Sequence, residues 1–243
     1  MRHERMGVTI HYKLRAPPGT DKRRAKEIMT ELRECADRYG HAGRVDAVPP
    51  LREDAQALRY GRTWRFVPVP DRPNSHYDVE LVPEEGYVLI VRPGIDCETL
   101  TLGLCRYPSK AWVGNEKRRT GLGGWWWEGF CKTQYASLHG WEHFRRCHLA
   151  VLDLLDEARR LGCRVTITDE GEYWPRRNEA KLRRNVEQMN CAIAAAAGAM
   201  KDHDKATGSE GVQSPIFAHP QFEHLEAEGA ARGHAAALRK ALS

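Results

Sequence analysis

The chain has 243 residues, 41% of them hydrophobic and 29% charged, with a formal net charge of +5. That length supports a sizeable core, and that composition excludes a fibrous or wholly disordered chain. No apolar run approaches the ~20 residues of a helical membrane span, and the modest positive excess permits nucleic acid as a partner without requiring it.

The first ten residues carry charge but no apolar segment. The seven cysteines, at 35, 97, 105, 131, 147, 163 and 191, are odd in number, widely spaced and without a C-x-x-C pair. Both features suit a cytoplasmic protein with reduced thiols.

Residues 7–14 alternate Val8, Ile10, Tyr12 and Leu14 with Thr9, His11 and Lys13, which predicts a half-buried strand. After the turn at Pro17-Pro18-Gly19, Thr20 or Asp21 caps a helix whose apolar positions (Ala25, Ile28, Met29, Leu32, Cys35, Ala36, Tyr39) keep a 3.6-residue rhythm up to Gly40. Residues 41–63 have little periodicity and read as a loop with one helical turn near 52–59. Strand signals then follow at 64–69, 77–82, 87–91 and 98–104, broken by Pro- and Gly-rich turns. They predict an antiparallel meander, with Pro68 marking an edge or a bulge.

Residues 106–124 read as a polar loop with a basic run, Lys117, Arg118 and Arg119. The GLGG at 121–124 lacks the lysine and hydroxyl of a phosphate loop. Residues 125–135 predict a strand with Trp125, Trp127, Cys131, Thr133 and Tyr135 on one face and Trp126, Glu128, Phe130, Lys132 and Gln134 on the other. A helix over 141–162 has the clearest stripe in the chain: Phe144, Cys147, His148, Val151, Leu154, Leu155, Ala158 and Leu161. A short strand at 163–168 precedes a second long helix after Pro175, striped by Leu182, Val186, Met189, Ile193, Ala197 and Met200.

From residue 201 the chain turns polar and Gly/Ser-rich, then alanine-rich. The expected organisation is one α+β domain over 1–200, then a linker with a short helix or flexible tail over 201–243. The expected fold is a mainly antiparallel sheet with two or three long helices on one face, in an elaborated ferredoxin-like arrangement.

Four constellations can carry chemistry. Cys131, His139, His143 and Cys147 include a spacing of four that shares one helix face, a metal-ligand pattern competing with plain core packing. Asp169, Glu170 and Glu172 follow a strand and can hold Mg²⁺ or Mn²⁺, with Asp153 or Asp78 and Glu80 completing a two-metal site; they equally suit the start of a helix. Lys132, Gln134, Tyr135 and His139 form a polar row in which Tyr135 or His139 can move a proton. Trp125, Trp126, Trp127, Trp141 and Trp174 concentrate indole, and a triplet on one strand cannot send every ring into a single core.

The segments FCKTQYAS (130–137), HFRRCHLAVLDLLDEARRLG (143–162), DEGEYW (169–174) and MNCAIAAAAGAMKD (189–202) resemble a group of bacterial proteins of unknown function. The resemblance spans roughly the second half of the chain before the linker. It implies a bacterial, cytoplasmic origin and assigns no activity to any residue.

The function these patterns favour is a non-catalytic binding protein without a cofactor. Lys117, Arg118, Arg119, Trp125, Trp126, Trp127 and Trp174 would contact a protein or nucleic-acid partner. One alternative is a Mg- or Mn-dependent hydrolase or phosphodiesterase at Asp169, Glu170 and Glu172. The other is a small-molecule sensor with a pocket of Trp125, Trp127 and Tyr135.

Overall fold

The computed structural model describes residues 8–68, 76–207 and 211–233. Its elements run β1 (Thr9–Arg15), α1 (Lys22–His41), α2 (Ala55–Tyr60), β2 (Thr63–Pro68), β3 (His76–Leu81), β4 (Glu85–Val91), β5 (Leu100–Arg106), β6 (Lys110–Val113), β7 (Glu116–Arg119), β8 (Trp125–Lys132), α3 (Trp141–Arg160), β9 (Arg164–Asp169), α4 (Glu179–Thr207) and α5 (Phe222–Ala231).

The main sheet has the order β4-β5-β8-β1-β9, with antiparallel neighbours throughout. Helix α1 follows β1, and α3 connects β8 to β9. Four of the strands, β5-β8-β1-β9, therefore reproduce the split β-α-β order of a ferredoxin-like sandwich, with β4 added at one edge. The α+β expectation holds.

Alternation in β1 explains its placement. Ile10, Tyr12 and Leu14 are buried, while His11, Lys13 and Arg15 are exposed. The Asp21 side chain accepts from Arg24 N at 2.7 Å and starts α1, which buries Ala25, Ile28, Met29, Leu32, Cys35 and Ala36. Helix α3 buries Phe144, Cys147, Val151, Leu154, Leu155 and Ala158 in the same core. Among the described residues, no helix is long and apolar enough to cross a membrane.

Three expectations are corrected. The meander divides: β2 and β3 form their own two-stranded sheet, whereas β4 and β5 join the main one. Residues 106–124 are not a plain loop, because β6 and β7 pair as a hairpin across Gly114-Asn115. The second long helix continues through Thr207, beyond the boundary expected at 200, and α5 docks against it. That docking is close: a Cβ on Gly229 would lie 2.1 Å from the Cys191 carbonyl oxygen. The extreme C-terminal residues of the expected tail lie outside the described residues.

The tryptophan triplet is also corrected. Trp125, Trp126 and Trp127 are 4, 2 and 2% exposed. A strand can bury all three because this end of the sheet is covered on both faces. Trp125 stacks on Tyr87 with centroids 5.7 Å apart. Trp127 lies over Gly103 on the helix side and donates its indole N–H to the Thr101 carbonyl at 3.0 Å. Trp126 points the other way, under Tyr107 and the Arg65 guanidinium, which sits 4.5 Å from its ring. Helix α2 and strand β2 supply that second layer.

Candidate functional site

The antiparallel register places the outward residues of β8, β1 and β9 in three cross-strand rows. The first is Trp126, Arg15 and Arg164; the second Glu128, Lys13 and Thr166; the third Phe130, His11 and Thr168. Rows lie roughly 6.8 Å apart, two residues along a strand. The first row's indole is roofed by Arg65, but Arg15 and Arg164 are exposed, face each other directly, and pair with no acid among the described residues. In the second row Lys13 Nζ is 3.4 Å from Glu128, whose carboxylate also accepts the Thr63 hydroxyl at 3.0 Å. In the third row His11 is 3.4 Å from Glu170, and the Phe130 ring, 56% exposed, lies 6.1 Å from the imidazole. Trp64, 59% exposed, forms part of the facing wall of the resulting groove, which has a volume of about 480 Å³.

The β6–β7 hairpin presents a second surface. Its pairs Lys110↔Arg119 and Trp112↔Lys117 put three cations and an indole on one face. Trp112 is 64% exposed, and Lys117 Nζ sits 5.1 Å from its ring centroid. No acid pairs with Lys110, Lys117 or Arg119 among the described residues. Arg118 belongs to the opposite face and is paired with Glu116 at 2.6 Å. The hairpin lies beside β3. Its sequence signal was the Gly114-Asn115 pair between two short runs, a two-residue hairpin connection masked by the polar residues around it.

The sequence candidates meet different fates. Lys117 and Arg119 are on the exposed cationic face, but Trp125, Trp126 and Trp127 are core residues and cannot touch a partner. Exposed indole is found at Trp64 and Trp112, which the sequence did not single out. Trp174 is half-buried between the Arg159 and Arg177 guanidinium groups, at 5.0 and 5.1 Å. The three carboxylates diverge. Asp169 turns inward, Glu170 accepts from Thr9 N at 3.1 Å, and Glu172 lies 3.2 Å from Lys181. Asp153 is taken by Arg44 and Arg177, Asp78 by His76 and Glu80 by Arg62. The two-metal reading therefore loses its ligand set.

Cys131 and Cys147 both lie within electrostatic reach of Cys97, while the Cys131 thiol donates to the Glu98 carbonyl at 3.1 Å. Sequence spacing gave no hint of Cys97. His143 Nε2 is 3.7 Å from the Cys147 sulfur but 2.9 Å from the Ile95 carbonyl oxygen, and His139 is turned to Asp96 at 2.7 Å. Among the described residues no group of three or more His, Cys, Asp or Glu side chains is arranged to hold a metal. Of the polar row, Lys132 lies 4.9 Å from the Tyr135 ring centroid, while Gln134 is buried and donates to Asn190 Oδ1 at 3.3 Å. The sensor pocket fails because Trp127 fills its space: a Cβ on Gly103 would come within 2.5 Å of that ring.

A buried polar chain, Thr133–His148–Asp169, joins β8, α3 and β9. Thr133 Oγ1 is 2.8 Å from His148 Nδ1, and His148 Nε2 is 3.3 Å from Asp169 Oδ1. The order resembles a nucleophile–base–acid relay, but Thr133 and His148 are wholly enclosed, so no substrate can reach them. Asp169 instead holds the turn after β9, accepting from the backbone N–H groups of Gly171, Tyr173 and Trp174 at 2.8–2.9 Å.

No protein-family model, curated protein or solved structure matches this chain.

Proposed function

We propose that this is a non-catalytic binding protein whose partner is nucleic acid, held first by the β6–β7 hairpin. The observation that carries the reading is the acid-free hairpin face of Lys110, Trp112, Lys117 and Arg119. Cations without acidic partners are free to replace the counterions of a phosphate backbone, and an exposed indole offers a stacking surface for a base. A protein partner would also suit an exposed tryptophan, but three unneutralised cations around it favour a polyanion. The seven free cysteines fit a reducing compartment, so the bacterial cytoplasm is the inferred setting.

The test is a fluorescence-anisotropy titration of a labelled single-stranded oligonucleotide with the full chain and with a Lys110→Ala/Lys117→Ala/Arg119→Ala variant. The reading expects binding by the wild type and a loss of roughly ten-fold or more in the variant. Equal affinity in both would remove the hairpin from the interface. No binding by the wild type at low salt would end the reading.

A further inference from the structure

The side of the main sheet opposite α1 and α3 is covered by α2 and β2 around Trp126, and beyond that cover it carries a second set of exposed groups, separate from the hairpin. Arg15 and Arg164 are direct cross-strand neighbours with no acid beside them among the described residues. Like charges opposed in this way are unfavourable, and a bound anion would relieve the repulsion. Two rows along, roughly 13 Å away, the exposed Phe130 ring lies 6.1 Å from the His11 imidazole, and Trp64 lines the same groove. Between these ends stand Lys13 and the exposed Thr166, and the exposed Thr168 shares the Phe130 row. The groove's two carboxylates are both engaged within the protein. Glu128 is neutralised by Lys13, and Glu170 is held by the Thr9 backbone N–H and His11.

We propose that this sheet face binds a single-stranded stretch of nucleic acid, with one base on the Phe130 ring and a backbone phosphate between Arg15 and Arg164. The proposal rests on the nucleic-acid reading of the hairpin and adds the strandedness and a second contact site. A duplex keeps the faces of its bases stacked inside, so a flat aromatic platform on a sheet selects unpaired bases. The separation of Phe130 from the arginine pair means that the stacked base and the gripped phosphate belong to different nucleotides. The hydroxyls of Thr166, between them, and Thr168, in the Phe130 row, are placed to bond base edges or sugar.

The experiment measures binding of the full chain to oligodeoxythymidylate, to the same strand annealed to its complement, and to inorganic polyphosphate as a base-free polyanion. Variants are Phe130→Ala, Phe130→Tyr, the pair Arg15→Gln/Arg164→Gln, and the hairpin triple variant. The proposal expects preference for the single strand. Phe130→Ala should weaken that binding by ~5–100-fold, the range for loss of one stacked base, and leave polyphosphate binding unchanged. Phe130→Tyr should restore it, which separates a lost platform from a damaged fold. The arginine pair variant should weaken both single strand and polyphosphate. Wild-type affinity in Phe130→Ala and the arginine variant, with binding lost in the hairpin variant, overturns the proposal and leaves the hairpin reading intact. Preference for the duplex does the same. Failure of the wild type to bind either nucleic-acid form overturns both.

Discussion

The imidazole of His148 and the carboxylate of Asp169 meet at 3.3 Å with both side chains at 0% exposure. The contact is close but poorly aligned, and His148 Nε2 has no hydrogen-bond partner; its hold on Asp169 is electrostatic. Burial pushes the Asp169 carboxyl up, but the neighbouring imidazole and the turn's backbone N–H groups pull harder, and the group ends below its usual range. A lowered carboxyl pKa contributes stability above the unfolded value of about 4 and loses it as pH falls through the folded value. Melting temperature should therefore drop on acidification from about pH 4 downward. Asp169→Asn weakens the buried acceptor of three backbone N–H groups and should cost ~1–3 kcal/mol, several degrees in melting temperature for a chain of this size. It should also flatten the acid limb of the stability profile. A variant that melts like the wild type would show that this pair does not hold the turn.

Buried and exposed indoles should separate stability from binding. Trp127→Ala removes a ring packed on Gly103 and should cost ~3–5 kcal/mol, whereas Trp112→Ala should change stability by less than ~0.5 kcal/mol. Oligonucleotide affinity should move the opposite way: unchanged for folded Trp127→Ala, weakened for Trp112→Ala. Gly103→Val, which drives a side chain into the Trp127 ring, should cost at least ~1–3 kcal/mol. Thermal melts paired with binding titrations decide each case. Weakened binding by folded Trp127→Ala would return the buried triplet to the interface.

The cysteines should be inert in the native state. Burial pushes Cys163 and Cys191 up to about 11 and Cys105 up to about 12. Hydrogen bonding to Cys131 raises Cys97, and hydrogen bonding to Cys97 raises Cys147. Reaction with a thiol reagent needs the thiolate. At pH 7.5 the folded protein should therefore react slowly, and denaturant should release all seven thiols. One thiol reacting rapidly in the folded protein would contradict this, and a mass map would show whether it is Cys97, the half-buried cysteine.

Much of the fold was legible because one-sided burial writes its period into the residues. The two-residue alternation of β1 and the apolar stripes of α1 and α3 each name the side that meets the core. The Trp125–Trp127 strand misled because its burial comes from two layers, and the second, α2 with β2, is contributed by segments read as a loop and an edge strand. The hairpin was hidden for the opposite reason: both of its faces are largely wet, so no apolar period marks it. The pairing of Arg15 with Arg164 was illegible in principle, since it depends on a register between strands far apart in sequence. Cys97 joins Cys131 and Cys147 for the same reason. The His148 stripe position was visible, but its partners were not: Thr133 was read as one face position of a strand and Asp169 as part of an acidic cluster.

The central claim is that unneutralised cations on the hairpin and sheet face grip a phosphate backbone. Its most direct test is the affinity of the full chain for oligodeoxythymidylate as a function of salt. The account predicts a straight line of log affinity against log salt, falling with a slope of about −0.7 for each phosphate contacted. Removing Lys110, Lys117 and Arg119 together should make that slope shallower by about two units. An affinity indifferent to salt, or a slope unchanged in that variant, would contradict it.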